Sequence, residues 1–119
     1  MKVIIAGSRD FVDYCFLRRK LDHLFSRCTE DIEIVSGHAR GTDMLGEHYA
    51  VEHGLQVHTF PVTSADWERI GKSAGYRRNK TMAQFSDALV AFWNGRSPGT
   101  GHMIDLAREY GLRVRVVKV

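Results

Sequence analysis

Short apolar runs alternate along the chain with stretches in which apolar residues recur every three or four positions. The first pattern is typical of strands buried on both faces, and the second is typical of amphipathic helices. The apolar runs predict five strands, at Lys2–Ala6, Glu33–Ser36, Gln56–Pro61, Ala88–Trp93 and Arg113–Lys118. The helical spacing predicts four helices, at about Asp13–Arg27, Asp43–His53, Lys72 or Gly75 to Phe85, and His102–Tyr110.

Strands and helices that alternate through short links are typical of a parallel sheet covered by helices on both faces. We therefore predict an α/β, three-layer Rossmann-like fold with a five-stranded parallel sheet, formed by residues 1–119 as one domain. Right-handed crossovers and an early reversal of direction favour the strand order 3-2-1-4-5. Ligands of such sheets bind at the carboxyl ends of the strands, here between the first and fourth strands.

The residues Val62–Ser73 follow neither pattern, and we expect them to form the longest irregular loop. A loop of this length in a compact domain is often functional. Within it, Asp66 and Trp67 are candidates to contact a nucleobase. A tryptophan that packs against the edge of the sheet fits the sequence equally well.

Small and polar residues follow three of the predicted strands, where a ligand would bind. Gly99-Thr100-Gly101 separates the fourth strand from a helix, where backbone N–H groups without helical partners and the helix dipole favour an anion. The candidate phosphate-binding residues in the three turns are Gly7, Ser8, Arg9, Ser36, Gly37, Arg40, Gly41, Thr42, Gly99, Thr100 and Gly101. If the turns converge, they form a site for a phosphorylated ligand.

Each of these turns also has a purely structural interpretation. The Arg9 guanidinium matches the geometry of a phosphate, but Asp10 could instead cap the first helix and leave Arg9 in solvent. Arg40 could face the ligand or water, and Asp43 could cap the second helix or pair with an internal arginine. The cations of Arg77–Lys80 oppose the dipole of the third helix, which indicates either a function or a solvated basic face.

Composition narrows the function classes without choosing among them. The chain has 119 residues, of which 44% are hydrophobic and 26% charged, as is typical of soluble globular proteins. Its net charge of +3 suits an anionic small molecule as well as a nucleic acid. No apolar run approaches the length of a membrane span, and no secretory signal pattern is present. We therefore expect a cytoplasmic protein without a membrane partner.

Neither a disulfide nor a metal site is expected. Cys15 and Cys28 would lie about 20 Å apart on one helix, which is too far for a disulfide. We expect both to be reduced and to lie on or near the side of the first helix that faces the sheet. The histidines and cysteines lack the spacing of zinc ligands, and Gly71-Lys72-Ser73 lacks the first glycine of a phosphate-binding P-loop. No metal and no cofactor are predicted.

Taken together, the motifs resemble those of the SLOG superfamily, the Rossmann-like group that includes the Smf/DprA proteins and the LOG phosphoribohydrolases. The similarity is greatest to its small YspA-like, cpYpsA-related branch. The matching segments span nearly the whole chain in the family's order: Gly7–Phe11, Ser36–Asp43, Ala65–Trp67, Gly75–Asn79 and Gly99–Met103. The resemblance implies a nucleotide or nucleotide-derived ligand over the carboxyl edge of the sheet, bound by a sensor or a processing protein.

The resemblance to LOG enzymes implies a catalytic role for Arg78. Those enzymes hydrolyse the N-glycosidic bond of a nucleoside monophosphate with an arginine and a glutamate, and Arg78–Met82 matches their arginine motif. Met103 stands where the motif has its glutamate, so hydrolysis would need another carboxylate. The candidates to replace it are Asp10, Asp43 and Asp66. Whether the protein is an enzyme therefore stays open.

The resemblance to DprA proteins keeps a nucleic-acid partner as a further alternative. Ser36–Asp43 matches a segment of DprA, and its Arg-Asn pair is matched by Arg78 and Asn79, which makes Asn79 a candidate ligand-binding residue. DprA binds single-stranded DNA, and such binding needs a basic groove with aromatic platforms. The candidates for that groove are Arg9, Arg40, Arg77, Arg78 and Trp67. LOG proteins form dimers, which implies a homo-oligomer.

Overall fold

Strands and helices alternate along the chain in the computed structural model, which describes residues 1–71 and 73–119. In chain order the elements are β1 (Lys2–Gly7), α1 (Tyr14–Phe25), β2 (Glu33–Ser36), α2 (Thr42–Glu52), β3 (Gln56–Thr59), α3 (Ser64–Ile70), α4 (Ser73–Phe85), β4 (Ala88–Trp93), α5 (Pro98–Glu109) and β5 (Arg113–Lys118). The five predicted strands are present, and β3 ends two residues before the predicted boundary.

The five strands form one parallel sheet in the order β3-β2-β1-β4-β5, which confirms the predicted fold class and strand order. The central strand β1 lies between β2 and β4, with Ile4 opposite Val35 on one side and Leu89 on the other. Because the order reverses at β1, the turns that follow β1 and β4 leave the sheet beside each other.

Helices cover both faces of the sheet and bury alternate side chains of β1. Val3 and Ile5 pack in the layer with α1 and α2, together with Leu17 and Tyr49. Ile4 and Ala6 face the layer of α4 and α5, which includes Met103. Two apolar layers that share one sheet hold the carboxyl ends of the central strands in fixed positions, because β1 and β4 are packed on both faces.

The segment predicted as an irregular loop contains helix α3 instead. Thr63 and Asp66 form a reciprocal cap, in which Asp66 N donates to Thr63 Oγ1 at 3.1 Å and Thr63 N donates to Asp66 Oδ2 at 3.4 Å. This capping box has a sequence signature, a threonine followed three positions later by an acidic residue. The prediction of an irregular loop was wrong, because it rested on the lack of an apolar pattern and did not take the capping signature into account.

Helix α5 begins four residues before the predicted start. Ser97 occupies its N-cap and Pro98 its first turn, so Gly99-Thr100-Gly101 is part of the helix rather than a turn that precedes it. Proline suits a first turn because its missing N–H group has no helical acceptor there. The alternative start of the third predicted helix at Lys72 lies outside the described residues.

Helix α1 differs from the prediction at both cysteines and at its cap. Cys15 is exposed, since Leu17 and Leu21 form the side of α1 that faces the sheet. Cys28 lies beyond the end of α1 and is partly buried, and both thiols are free. The N-cap is Asp13 rather than Asp10, and its carboxylate accepts a hydrogen bond from Phe16 N at 3.1 Å.

Within residues 1–71 and 73–119, no helix has the length and apolar character that a membrane crossing requires.

Candidate functional site

A cavity of about 560 Å³ lies at the carboxyl edge of the sheet, beside the point where the strand order reverses. We call this cavity the cleft. The predicted site residues that line it are Gly7, Arg9, Arg40, Trp67, Arg78, Asn79, Gly99 and Thr100. The three turns that were expected to converge therefore do meet at one place.

The other predicted site residues do not line the cleft; they are Ser8, Ser36, Gly37, Gly41, Thr42, Asp66 and Gly101. Most of them form internal contacts that hold the turns. Ser36 is buried and donates to Glu47 Oε2 at 2.7 Å, and Asp66 belongs to the cap of α3. Gly101 lies against Trp93, because a Cβ added there would be 3.3 Å from the indole ring.

Ser8 and Thr42 tie the ends of three strands together. Ser8 N donates to Phe92 O at 3.0 Å, and Ser8 O accepts from Thr42 Oγ1 at 3.0 Å and from Thr42 N at 3.3 Å. Ser8 Oγ accepts from Asn94 N at 3.1 Å. Both side chains are buried. These hydrogen bonds fix the turns after β1, β2 and β4 relative to one another.

Two glycines allow those turns to approach closely. Gly41 has a φ of 79°, and a Cβ there would lie 2.3 Å from Arg9 O. A Cβ at Gly7 would lie 2.2 Å from Phe92 O. Side chains at these positions would push the turns apart, so both glycines are required for the shape of the cleft.

The Arg78 guanidinium is held in place from two sides. Nη1 donates to Gly37 O at 2.7 Å and to Phe60 O at 3.4 Å, and Nε donates to Asn79 Oδ1 at 3.0 Å. Within the described chain, no hydrogen bond uses Nη2. Burial lowers the pKa of Arg78, but the group stays protonated because its ordinary pKa is so high. Arg78 therefore presents a fixed positive charge to the cleft.

Asn79 connects that arginine to the start of α5. Its Nδ2 donates to Gly99 O at 3.3 Å and lies 3.2 Å from His102 Nδ1. Since Asn79 is buried, these contacts are shielded from water. Its position in the middle of α4, next to Arg78, thus fixes the distance between Arg78 and the N-terminus of α5.

Asp43 is the buried carboxyl group of the cleft. It is 7% exposed, and its Oδ2 accepts a hydrogen bond from Ala39 N at 3.3 Å. Burial raises its pKa to about 6, although Ala39 N–H and the charges of Arg78 and Arg9 act in the opposite direction. The N-cap of α2 is Gly41, so the interpretation of Asp43 as the cap of this helix was wrong.

The first turn of α5 faces the cleft with free backbone donors. The amide of Gly101 donates to Ser97 O at 3.1 Å, whereas the amides of Gly99 and Thr100 come earlier and have no helical acceptor. The positive end of the helix dipole adds to their attraction for an anion. The arrangement resembles the phosphate sites at helix N-termini in other folds.

Arg9 and two aromatic rings complete the walls of the cleft. The Arg9 side chain is exposed and forms no hydrogen bond or ion pair within the described residues. Trp67 and Tyr76 are 40% and 43% exposed. Sequence reasoning missed Tyr76, although it stands within the motif Gly75–Asn79. Asp10 and the buried Met103 line the cleft as well.

Comparisons with known proteins agree with this architecture. A family model described as the YspA, cpYpsA-related SLOG family matches residues 1–70. The Gene 61 protein of Mycobacterium phage D29 is 36% identical over 118 residues, which cover 95% of this chain and 93% of that protein.

The X-ray structure of DNA processing protein A (DprA) from Streptococcus pneumoniae superposes with a TM-score of 0.75. The match covers 97% of this chain at 20% identity, a level that shows a shared fold. This chain spans about half of that structure, since it covers 49% of it. From the motifs, the family model and the phage relative together, we conclude that the chain belongs to the YspA, cpYpsA-related SLOG family.

Proposed function

We propose that the protein binds a nucleotide or a nucleotide-derived phosphorylated molecule in the cleft. One observation carries the proposal: the free amides at the N-terminus of α5 and the cations of Arg9, Arg40 and Arg78 meet in a single cavity. Membership of the SLOG family supports this proposal. The similarity in fold to DprA, whose name refers to DNA processing, is consistent with a ligand of the nucleotide class.

In this proposal the phosphate binds at the N-terminus of α5. The amides of Gly99 and Thr100 donate to its oxygens, and Arg78 Nη2 and the exposed side chain of Arg9 neutralise its charge. Arginine suits this role because its planar group can donate two parallel hydrogen bonds to one phosphate. Arg40 approaches from the turn after β2, where it would meet the ribose or a second phosphate.

The nucleobase is proposed to lie along the wall that Trp67 and Tyr76 form. An aromatic wall suits the face of a base, because stacking contributes about 1–3 kcal/mol per base. The cleft volume of about 560 Å³ falls within the range of known small-molecule sites. The buried methionine Met103 would contribute an apolar contact rather than a charge.

The experiment is titration calorimetry of the protein with AMP, ADP-ribose, NAD and cyclic nucleotides. We expect one of these classes to bind, and we expect Arg9→Gln to weaken it about tenfold or more, because a charge-assisted hydrogen bond contributes about 1.5–3 kcal/mol. Arg19→Gln, on the exposed side of α1, is the matched control, because it removes the same charge outside the cleft.

Two outcomes would contradict the proposal. The first is the absence of binding below millimolar concentrations for every ligand, in folded protein. The second is an equal effect of Arg9→Gln and Arg19→Gln, which would mean that only the overall charge matters. Binding of a short single strand without binding of any mononucleotide, with a steep dependence on salt, would favour the nucleic-acid alternative.

A second candidate function is hydrolysis of the N-glycosidic bond of the bound nucleotide, and the position of Asp43 favours it. Met103 replaces the glutamate of the LOG motif, but the Asp43 carboxyl group also lines the cleft, near the charge of Arg78. A carboxylate there would accept a proton from the attacking water while the bond from C1′ to the base breaks, and the departing base would take up one proton from solvent.

Chromatography of nucleoside monophosphates incubated with the protein tests this second function. We expect a released base with the unaltered chain and a rate at least about 100-fold lower with Asp43→Asn, as is typical when a general base is removed. Asparagine keeps the shape and the acceptor for Ala39 N, so ligand binding serves as the control for folding. Unchanged substrate at high protein concentration would rule out the second function and leave the binding proposal intact.

A further inference from the structure

A second groove lies between α1 and β5, apart from the cleft. Its volume is about 490 Å³. One wall is a single face of α1, with Phe16, Lys20, His23 and Leu24, and the other wall is the last part of β5, from Arg115 to Lys118. We call it the basic groove. None of its lining residues is among those that line the cleft.

The charge of the basic groove is of one sign. Lys20, Arg115 and Lys118 line it together with His23, and no carboxylate among the described residues does so. None of these three cations takes part in an ion pair within the described chain. The Lys20 ammonium lies 5.5 Å from the centre of the Phe16 ring. The groove is therefore complementary to a negatively charged partner.

The groove runs beside an unpaired edge of the sheet. β5 is the last strand in the sheet order, and its described partner is β4 alone, in register from Arg113 to Lys118. Its outer backbone N–H and C=O groups are thus open to another strand. Val116 and Val119, which are 37% and 40% exposed, add apolar contacts at this edge.

We infer that the basic groove is a docking site for an extended acidic segment of a partner protein, which adds to β5 as a further strand. The open edge supplies main-chain hydrogen bonds, and the groove contacts alternate side chains, as in known strand-addition complexes. A second copy of β5 is a less favourable occupant of this edge, because its charged side chains are all cations and pairing two copies would concentrate positive charge. Acidic side chains avoid that repulsion.

The groove suits a nucleic acid less well. Binding of a single strand relies on a row of exposed aromatic side chains. Among the described residues that line the groove the one aromatic side chain is Phe16, which is partly buried and packs against Phe92 at 6.4 Å between ring centres. The described residues that line the groove include no helix N-terminus that could bind a lone phosphate. The inference does not depend on the proposed function of the cleft.

The test uses the full chain and a synthetic peptide in which glutamate alternates with valine. We expect binding that weakens as salt increases and hydrogen exchange that slows in β5, because its outer amides gain acceptors. Lys20→Glu and Arg115→Glu should each weaken binding about tenfold. Arg18→Glu is the matched control, since Arg18 is on α1 near Tyr14 and does not line the groove.

Circular dichroism establishes that each variant is folded. Lys20 and Arg115 are on different elements, so if one variant fails to fold, the other still tests the inference. The inference is overturned if the peptide does not bind, or if Arg18→Glu weakens binding as much as Lys20→Glu does. It is also overturned if a single strand of thymidine nucleotides binds this groove and displaces the peptide, since the partner would then be a nucleic acid.

Discussion

At the scale of single residues, Asp43 has the most unusual environment. It is buried in a cleft whose other charged groups are mainly arginines, and its carboxylate accepts a hydrogen bond from Ala39 N. Burial penalises the charged form more than Arg78 and Arg9 favour it, which is why the pKa rises to about 6. The cleft therefore contains a carboxyl group that titrates close to neutral pH.

The raised pKa of Asp43 predicts that the stability of the protein depends on pH. The unfolded carboxyl group has a pKa of 3.8 and the folded one a pKa of about 6, so the folded state binds the proton more tightly. The contribution of Asp43 to stability is therefore fully present below about pH 4 and is lost as the pH rises through about 6, with a total change of about 2–3 kcal/mol.

Urea denaturation of the unaltered chain and of Asp43→Asn across this pH range measures the effect. Other titrating groups contribute to both proteins, so the difference between their free energies of unfolding isolates Asp43. We expect the unaltered chain to lose about 2–3 kcal/mol relative to the variant between about pH 4 and pH 7. A difference that does not change with pH would mean that Asp43 has an ordinary pKa.

At the scale of elements, α3 depends on its cap. It buries none of its side chains, and it contacts α4 through Trp67, whose ring lies 3.7 Å from the position that a Cβ at Gly75 would occupy. A helix of seven residues is too short to be stable alone. The capping box of Thr63 and Asp66 is therefore the main local interaction that keeps Trp67 at the cleft.

Thr63→Ala should loosen α3 without unfolding the protein. The change removes the hydroxyl that accepts from Asp66 N, at a cost of about 1 kcal/mol. We expect faster hydrogen exchange in α3 and little change in the midpoint of global unfolding, because the core layers are untouched. Ser64→Ala, at the first helical position, is the control and should leave exchange unchanged. Equal exchange in all three proteins would show that α3 does not need the cap.

At the scale of the whole molecule, the topology gathers cations from distant parts of the sequence. Arg9, Arg40 and Arg78 follow or precede different strands, and they meet because parallel strands present their carboxyl ends at one edge. The basic groove arises from the same topology, since β5 at the end of the sheet lies beside α1. A net charge of only +3 thus coexists with two regions of concentrated positive charge.

The sequence allowed prediction of the fold because the relevant signals are local. Apolar runs such as Ala88–Trp93 mark buried strands, and the handedness of crossovers limits the strand order to few alternatives. Convergence at the carboxyl edge followed from that order. A loop was predicted at Val62–Ser73, although the capping signature of α3 is present there. The predicted start of α5 was too late in the sequence, because Pro98 and Gly99 were interpreted as a turn.

By itself the sequence determined where the strands and helices run and at which edge polar turns would gather. Only the tertiary structure decided which residues of those turns face the cleft. The neighbours Ser8 and Arg9 have different surroundings. Ser8 is enclosed by hydrogen bonds to β4 and α2, whereas the side chain of Arg9 lines the cleft. The physical reason is that a polar group's availability depends on which distant atoms reach it, and sequence spacing does not specify those atoms.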